Sequence, residues 1–123
     1  MSQKTNTKDM EKLLNSPIFG KPELMLLAHA KMQIKDEENW VRGTLHKTGE
    51  AGQDMYCIQG ALQRVMEEDI SFTPPIRRKA EALLRAACEQ LSYQGFNDTH
   101  THEEVMSVMN MAIAIVVNKC FFM

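Results

Sequence analysis

Apolar residues recur along most of this chain at spacings of three and four, which is the period of an amphipathic α-helix. The clearest run is an unbroken apolar stripe that predicts a long helix, and Gly95 can end that helix in the left-handed conformation. An earlier strict run predicts another helix, ended by the two prolines of "SFTPP". The long stripe comprises Ile76, Ala80, Leu83, Leu84, Ala87, Cys88 and Leu91, and the earlier run comprises Ile58, Ala61, Leu62, Val65 and Met66.

Three further segments have helical signals. A weak first helix is predicted over Thr7 to Asn15, within an N-terminal extension formed by residues 1–20. Pro22 suits the first turn of the next helix, which is expected to end near "DEEN". The last helix is predicted to begin at Thr101, where "THEE" has capping-box spacing. The Thr101 hydroxyl can accept from the amide of Glu104, and the Glu104 carboxylate can reach back to the amide of Thr101.

The helical period fails between Trp40 and Asp54. "WVRGTLH" is typical of a short extended segment, and "KTGEAGQD" has the glycines of a turn. We therefore predict a short irregular or β-hairpin insert at about residues 41–54. The whole chain of 123 residues is then mainly α. It forms a compact bundle of four to five helices, with residues 21–123 as a single helical domain.

Composition and charge narrow the classes of partner. Hydrophobic residues make up 44% of the chain, and the formal net charge is −2. That charge gives no long-range attraction for nucleic acid, and the basic run at residues 77–79 is typical of a solvated helix face. The apolar segments are too short and too interrupted to span a bilayer. We therefore expect neither a nucleic acid nor a membrane as partner.

The N-terminus and the cysteines predict a cytoplasmic protein. "MSQKTNTKDM" lacks the apolar stretch of a signal peptide. The three cysteines are widely spaced, so they form neither a disulfide framework nor a zinc ribbon, and we expect them to stay reduced. They are Cys57, Cys88 and Cys120.

The densest group of polar side chains is "FNDTHTHEEV", Phe96 to Val105. A metal site there would use Asp98, His100 and His102, but an H-x-H pair converges on one ion when it lies on a strand, and here a helix begins. The structural interpretation makes Asn97, Asp98, Thr101 and Glu104 a corner between two helices, where such side chains satisfy loose backbone amides. We favour the corner, and we predict no metal and no cofactor.

Cys57 in "DMYCIQGAL" is the strongest catalytic candidate. In the first turn of a helix, the helix dipole lowers a thiol pKa and favours the nucleophilic thiolate. Paired with His102 and oriented by Asn97 or Asp98, Cys57 would have the parts of a thiol hydrolase or transferase. A cysteine beside Tyr, Ile and Ala is more often a small buried apolar residue, and we favour that role.

Gly60 and Trp40 are the candidates for ligand binding. Glycine inside a helix costs about 1 kcal/mol relative to alanine, which indicates close approach by another group. That group is either another element, such as Trp40 or the hairpin, or a bound ligand. Trp40, the single tryptophan, is correspondingly a core anchor or the aromatic wall of a pocket.

In combination these residues resemble a family of small bacterial and phage proteins known only as a domain of unknown function. The resemblance covers roughly residues 24 to 117. It implies a single compact domain in which Trp40, Cys57 and the Asn97–Asp98 pair belong to one cluster, and it transfers no reaction. The matching residues are Trp40, Gly43, Tyr56, Cys57, Gly60, Ala61, Leu62, Asn97, Asp98, Thr101, Val105, Ala112 and Ile113.

From this resemblance and the helical pattern we expect a protein-binding regulator or inhibitor, such as an accessory protein of a phage or mobile element. The alternatives are a thiol-dependent enzyme using Cys57 and a small-molecule sensor with a pocket at Trp40 and Gly60. Phe121 and Phe122 in the C-terminal "CFFM" are too apolar to stay in water. They are expected to pack on the domain or to form a homodimer with a second copy.

Overall fold

A computed structural model describes the backbone from residue 21 to residue 122 and the side chains from residue 22 to residue 118. The helix predicted over Thr7 to Asn15, the extension of residues 1–20 and the packing of Phe121 and Phe122 lie outside the described residues. Within them the chain is mainly α, with five α-helices and one small antiparallel sheet. This confirms the predicted fold class.

The first helix, α1 (Lys21–Gln33), lies in the middle of the described fold. Leu26 and Leu27 are both fully buried, although neighbouring positions on a helix point about 100° apart. Such a helix must be covered on more than one side, and α1 contacts the helices at 58–68, 74–88 and 102–122. It ends at Gln33, a few residues before the predicted stop, and "EEN" forms a separate 3-10 turn, Glu37–Asn39.

Two amphipathic helices pack against α1 as predicted. α2 (Ile58–Glu68) buries one stripe of its surface, and the chain leaves the helix before "SFTPP". α3 (Pro74–Cys88) begins with both prolines in its first turn, where their missing amide hydrogens leave no bond unmade. The buried residues of α2 are Ile58, Gly60, Ala61, Leu62 and Val65, and those of α3 are Ala80, Leu84, Ala87 and Cys88.

The end of α3 differs from the prediction. Glu89, not Gly95, takes the left-handed conformation that ends the helix, with φ of 57°. Leu91 is therefore not part of the apolar stripe, and it is 95% exposed. Gly95 instead lies inside a short helix, α4 (Tyr93–Thr99), which the periodicity of the long stripe concealed. The Ser92 side chain caps α4 by accepting from the amide of Gly95 at 2.9 Å.

The last helix, α5, runs from His102 to Phe122 and begins after Thr101, as predicted. It packs against α1, α3 and α4, and its inward side chains complete the core. Among residues 21–122, no helix combines the length and the apolar run that a bilayer crossing needs. The buried residues of α5 are Val105, Val108, Met109, Ala112 and Val116.

The predicted insert is a β-hairpin. Its strands β1 (His46–Thr48) and β2 (Asp54–Tyr56) pair antiparallel, with Lys47 opposite Met55. The turn between the strands contains Gly52, whose φ of 82° few other residues adopt. The segment before β1 is not a strand. Trp40 alone forms an isolated bridge, to Tyr56.

Candidate functional site

Trp40 and Asn97 form the centre of the cluster that the sequence indicated. The Trp40 indole is 7% exposed, and its Nε1–H donates to Oδ1 of Asn97 at 2.8 Å. Asn97 lies on α4 and is fully buried. Trp40 and Asn97 are 57 positions apart in the sequence, and this buried hydrogen bond joins the segment before the hairpin to α4.

Asn97 uses every hydrogen-bonding position of its side-chain amide. Besides the Trp40 indole, Oδ1 accepts from the amide of Ile58 at 3.2 Å. Nδ2 donates to the carbonyl of Val41 at 3.2 Å and to Oδ1 of Asp98 at 3.1 Å. A carboxamide has two acceptor positions and two donor hydrogens, so none remains for a substrate or for orienting a catalytic histidine. Asn97 therefore has a structural role, in which it binds the Ile58 amide, the Val41 carbonyl and the Trp40 indole.

Asp98 extends the same attachment to the next turn of chain. Its Oδ1 accepts from the amide of Gly43 at 2.9 Å, and Gly43 has a φ of 79°. The predicted corner is thus corrected for two of its members. Asn97 and Asp98 do bind backbone groups, but those groups lie at residues 41–43 and 58, not between α4 and α5. The reason is that both residues lie within α4, and helical side chains tilt toward the N-terminus of their helix, away from the junction between α4 and α5.

The other two members of the predicted corner, Thr101 and Glu104, form the capping box. The Thr101 hydroxyl accepts from the amide of Glu104 at 3.1 Å, and Glu104 accepts from the amide of Thr101 at 2.9 Å. The bond from the Thr101 amide, followed by that from its hydroxyl, lowers the pKa of the Glu104 carboxyl. This pair is exposed and local, and it satisfies amides at the start of α5.

Gly60 is required by close packing against the hairpin side of the molecule. A Cβ at this position would lie 1.9 Å from the carbonyl oxygen of Leu45 and 2.8 Å from its carbonyl carbon. The same Leu45 oxygen accepts from the amide of Cys57 at 3.4 Å. The contact with the Leu45 backbone supports the packing interpretation of Gly60. Gly60 also lines a cleft of about 240 Å³ between β1, β2 and α2.

Cys57 is a fully buried helix cap. Its Sγ accepts from the amide of Gly60 at 3.3 Å, so it stands at the N-cap of α2, just before the first helical residue. The thiol proposed as a nucleophile is therefore enclosed, and its sulfur already binds a backbone amide. A buried cysteine with a structural contact of this kind is typically inert.

His102 is engaged with a different part of the molecule. Its Nε2 lies 2.7 Å from the carbonyl oxygen of Ile34, so that nitrogen carries a hydrogen and donates. Its ring lies 5.5 Å from the Trp40 ring, between centroids. In the part of the chain that the structure describes, no hydrogen bond joins Cys57 to His102. Asp98, one of the two candidate orienting groups, is bound to Gly43, and Asn97, the other, has no free hydrogen-bonding position.

The two histidines of "THTH" do not converge. His100 Nδ1 contacts the carbonyl oxygen of Phe96 at 2.9 Å, whereas His102 contacts Ile34. Both rings are half-buried. Across residues 21–122, no group of three His, Cys, Asp or Glu side chains has the geometry of a metal site.

Sequence reasoning missed one polar pair at the hairpin. His46 Nε2 lies 2.9 Å from Oδ1 of Asp54, and the His46 ring stacks on Tyr56 with centroids 4.9 Å apart. Burial, and secondarily the Asp54 charge, raises the pKa of Tyr56. His46 lies diagonally across the hairpin from Asp54, two residues from Thr48, which is directly opposite Asp54, so a correct hairpin register would have revealed the pair.

Comparison with known proteins identifies a family without assigning an activity. No curated protein and no solved structure matches the chain. One family matches residues 21–115, which is well over half of the sequence and agrees with the predicted resemblance to a domain of unknown function. The chain therefore belongs to the family of unknown function DUF6197.

Proposed function

We propose that this chain is a protein-binding regulator that contacts its partner through an arm, which we define as residues 41–54. The arm comprises the segment after Trp40, β1 and the hairpin turn. On the resemblance to small bacterial and phage proteins, the proposal includes an accessory role in a phage or mobile element. It also includes the cytoplasm as the place of action, where widely spaced cysteines stay reduced.

The observation that carries the proposal is an exposed arm held to the core through its backbone. Every residue from 42 to 48 is exposed, including Leu45 at 40%. Four of the hydrogen bonds that join the arm to the rest of the chain carry this attachment. They run from Asn97 to the Val41 carbonyl, from the Gly43 amide to Asp98, from the Cys57 amide to the Leu45 carbonyl and from Gln53 to the Glu38 carbonyl.

Three of these four bonds use peptide groups of the arm, and only Gln53 uses its side chain. At Val41, Gly43 and Leu45 the core contacts peptide groups, so the exposed side chains can be chosen for contact with another molecule. An arm ordered in advance also loses less conformational entropy on binding than a free loop does. Both properties are what a docking loop on a rigid scaffold requires.

The enzyme alternative has weaker support from the same contacts. Cys57 is enclosed and acts as a helix cap, and Asn97, Asp98 and His102 each bind a backbone group. We therefore expect iodoacetamide at neutral pH to label Cys57 in the folded protein no faster than Cys88, which is also buried. Rapid, selective alkylation of Cys57 would favour the thiol enzyme.

Photo-crosslinking tests the proposal. A photoreactive amino acid is placed at Lys47 or Glu50 in the arm and, as a control, at the exposed Lys79 on α3. In cells of the natural host, we expect the two arm positions to form an adduct with the same protein and Lys79 to form none. Equal labelling from all three positions, or no arm adduct, contradicts the proposal.

A second variant pair connects the adduct to the attachment of the arm. Asp98→Ala removes the acceptor for the Gly43 amide, whereas Asp98→Asn keeps an oxygen at that position. We expect the arm adduct to weaken in the alanine variant and to persist in the asparagine variant. An adduct that is indifferent to both changes would mean that the ordered arm is not what the partner binds.

A further inference from the structure

The two outer edges of the hairpin are treated differently by the rest of the chain. Along β2, the carbonyl of Tyr56 accepts from the amide of Val41 at 3.1 Å, and the carbonyl of Asp54 accepts from Nδ2 of Asn39 at 2.9 Å. The segment at residues 39–41 therefore covers this edge. A covered edge cannot pair with another strand.

The outer edge of β1 is open. Leu45 and Gly49 both bond across the hairpin, to Cys57 and Gln53 at 3.4 and 2.8 Å. Bonded and non-bonded positions alternate in an antiparallel ladder, so the peptide groups of His46 and Thr48 point outward. Among the hydrogen bonds that join described residues, none uses the amide of His46 or of Thr48. The His46 carbonyl accepts from the Thr44 hydroxyl at 3.3 Å and keeps a second acceptor position.

Charge also separates the two halves of the hairpin. Residues 41–48 carry Arg42, His46 and Lys47 and no acidic residue, whereas residues 49–56 carry Glu50 and Asp54 and no basic residue. Asp54 is occupied by His46. In the described part of the chain, no ion pair joins Lys47 to a carboxylate. The Arg42 guanidinium lies 5.2 Å from the centre of the Trp40 ring, on the side of β2. Lys47 is thus the cation that β1 offers at its open edge.

We infer that the outer edge of β1 binds an acidic, extended segment of a partner protein, which adds to the hairpin as a third strand. This inference rests on the proposed function and specifies its mode of binding. Outward amides and carbonyls at His46 and Thr48 supply the ladder bonds, and Lys47 selects acidic side chains. A second copy of β1 is disfavoured at this edge, because like charges would face each other across the pair.

Two synthetic heptapeptides test the mode of binding. Both alternate Val with a charged residue between terminal threonines, with Glu in one and Lys in the other. NMR spectra of the full chain are recorded with each peptide. We expect the acidic peptide to shift the amide signals of His46 and Thr48 more than that of Lys47, whose amide points inward, and the basic peptide to leave all three in place. Absence of this pattern at millimolar acidic peptide overturns the inference.

A proline substitution tests whether the edge itself forms the bonds. Thr48→Pro removes an outward amide hydrogen, which an edge strand tolerates, and Thr48→Val keeps it. We expect the proline variant to bind the acidic peptide about five- to tenfold more weakly, the factor for one lost hydrogen bond, and the valine variant to bind normally. The indole signal of Trp40, bonded to Asn97, reports whether each variant retains the fold. Equal binding by both variants overturns the inference.

A charge reversal adds an independent measurement. Lys47→Glu leaves the backbone edge intact and should reverse the preference between the two peptides, whereas an unchanged preference overturns the assignment of an acidic partner. The crosslinking experiment separates this inference from the proposed function. If the arm adduct forms and is indifferent to Thr48→Pro, the arm binds a partner through its side chains, and only the added strand is refuted. If no arm adduct forms, both fail.

Discussion

Two groups of polar residues, only four positions apart, perform opposite tasks in this molecule. Asn97 and Asp98 reach across the fold, to backbone groups at residues 41, 43 and 58. Thr101 and Glu104 bond to each other and to amides of their own turn. The first pair is buried or half-buried, and the second is exposed. A single stretch, "FNDTHTHEEV", therefore contains a tertiary attachment followed directly by a local cap.

The difference matters because hydrogen bonds in the two settings have different values. Loss of an exposed cap returns its amides to water, which can replace the lost partner. Loss of Asn97 leaves buried donors that water does not reach, and a buried donor without a partner costs its full desolvation. Substitutions along the two groups should therefore separate into large and small effects on the free energy of unfolding.

The largest expected effect is that of Asn97→Ala. The change leaves the Trp40 indole and the Ile58 amide without their buried acceptor, which we expect to lower the free energy of unfolding by about 3 kcal/mol. Urea denaturation followed by tryptophan fluorescence measures it. Asn110→Ala, at an exposed position on α5, is the matched control and should change stability little. An equal loss in both variants would remove the distinction between the two groups.

Gly60→Ala tests the second long-range contact, between α2 and the arm. The added Cβ would meet the Leu45 carbonyl, which is backbone and must shift. We expect a loss of about 2 kcal/mol from this overpacking, despite the roughly 1 kcal/mol that alanine otherwise gains over glycine in a helix. Thermal denaturation measures the change, with Gln63→Ala on the exposed side of α2 as the control. A stabilised Gly60→Ala variant would mean that Leu45 moves freely.

Thr101→Ala should have a smaller effect. It removes the hydroxyl that accepts from the Glu104 amide, and the usual result of losing such a cap is about 1 kcal/mol. The double variant with Asn97→Ala sharpens the comparison, since the two residues share no hydrogen-bond partner. Their losses in urea denaturation should simply add. A large departure from additivity would show that the cap and the attachment are coupled through α4.

The smallest effect is the pH dependence carried by Glu104. Its pKa is lowered in the folded protein by bonds from Thr101, so this carboxylate stabilises the fold above its unfolded pKa. The stabilisation is lost as pH falls through the folded pKa. We expect native protein to be more stable than Glu104→Gln near neutral pH, and the difference in melting temperature to shrink under acidic conditions. A difference that grows on acidification would contradict the assignment.

By itself, the sequence determined the features that depend on neighbouring positions. The capping box, the end of α2 before "SFTPP", the apolar stripe of α2 and the hairpin insert all follow from spacings of a few residues. The same kind of reasoning was wrong at the end of α3, where it extended the helix to Gly95 and so included the start of α4. Leu91 fits the apolar period, but α3 ends at Cys88 with Glu89 in the left-handed conformation, and Leu91 is exposed.

Only the tertiary structure decided the partners of Asn97, Asp98, His102 and Gly60. Their contacts span 39 positions for Asn97 with Ile58 and 68 for His102 with Ile34. No local period encodes such a pairing, since it depends on how helices meet after the core has closed. Apart from the bond between the Trp40 indole and Asn97, these long-range contacts are made to backbone groups, which every residue carries and which therefore leave no mark on the sequence of the partner segment. For that reason the polar residues were visible in the sequence, and their bonds were not.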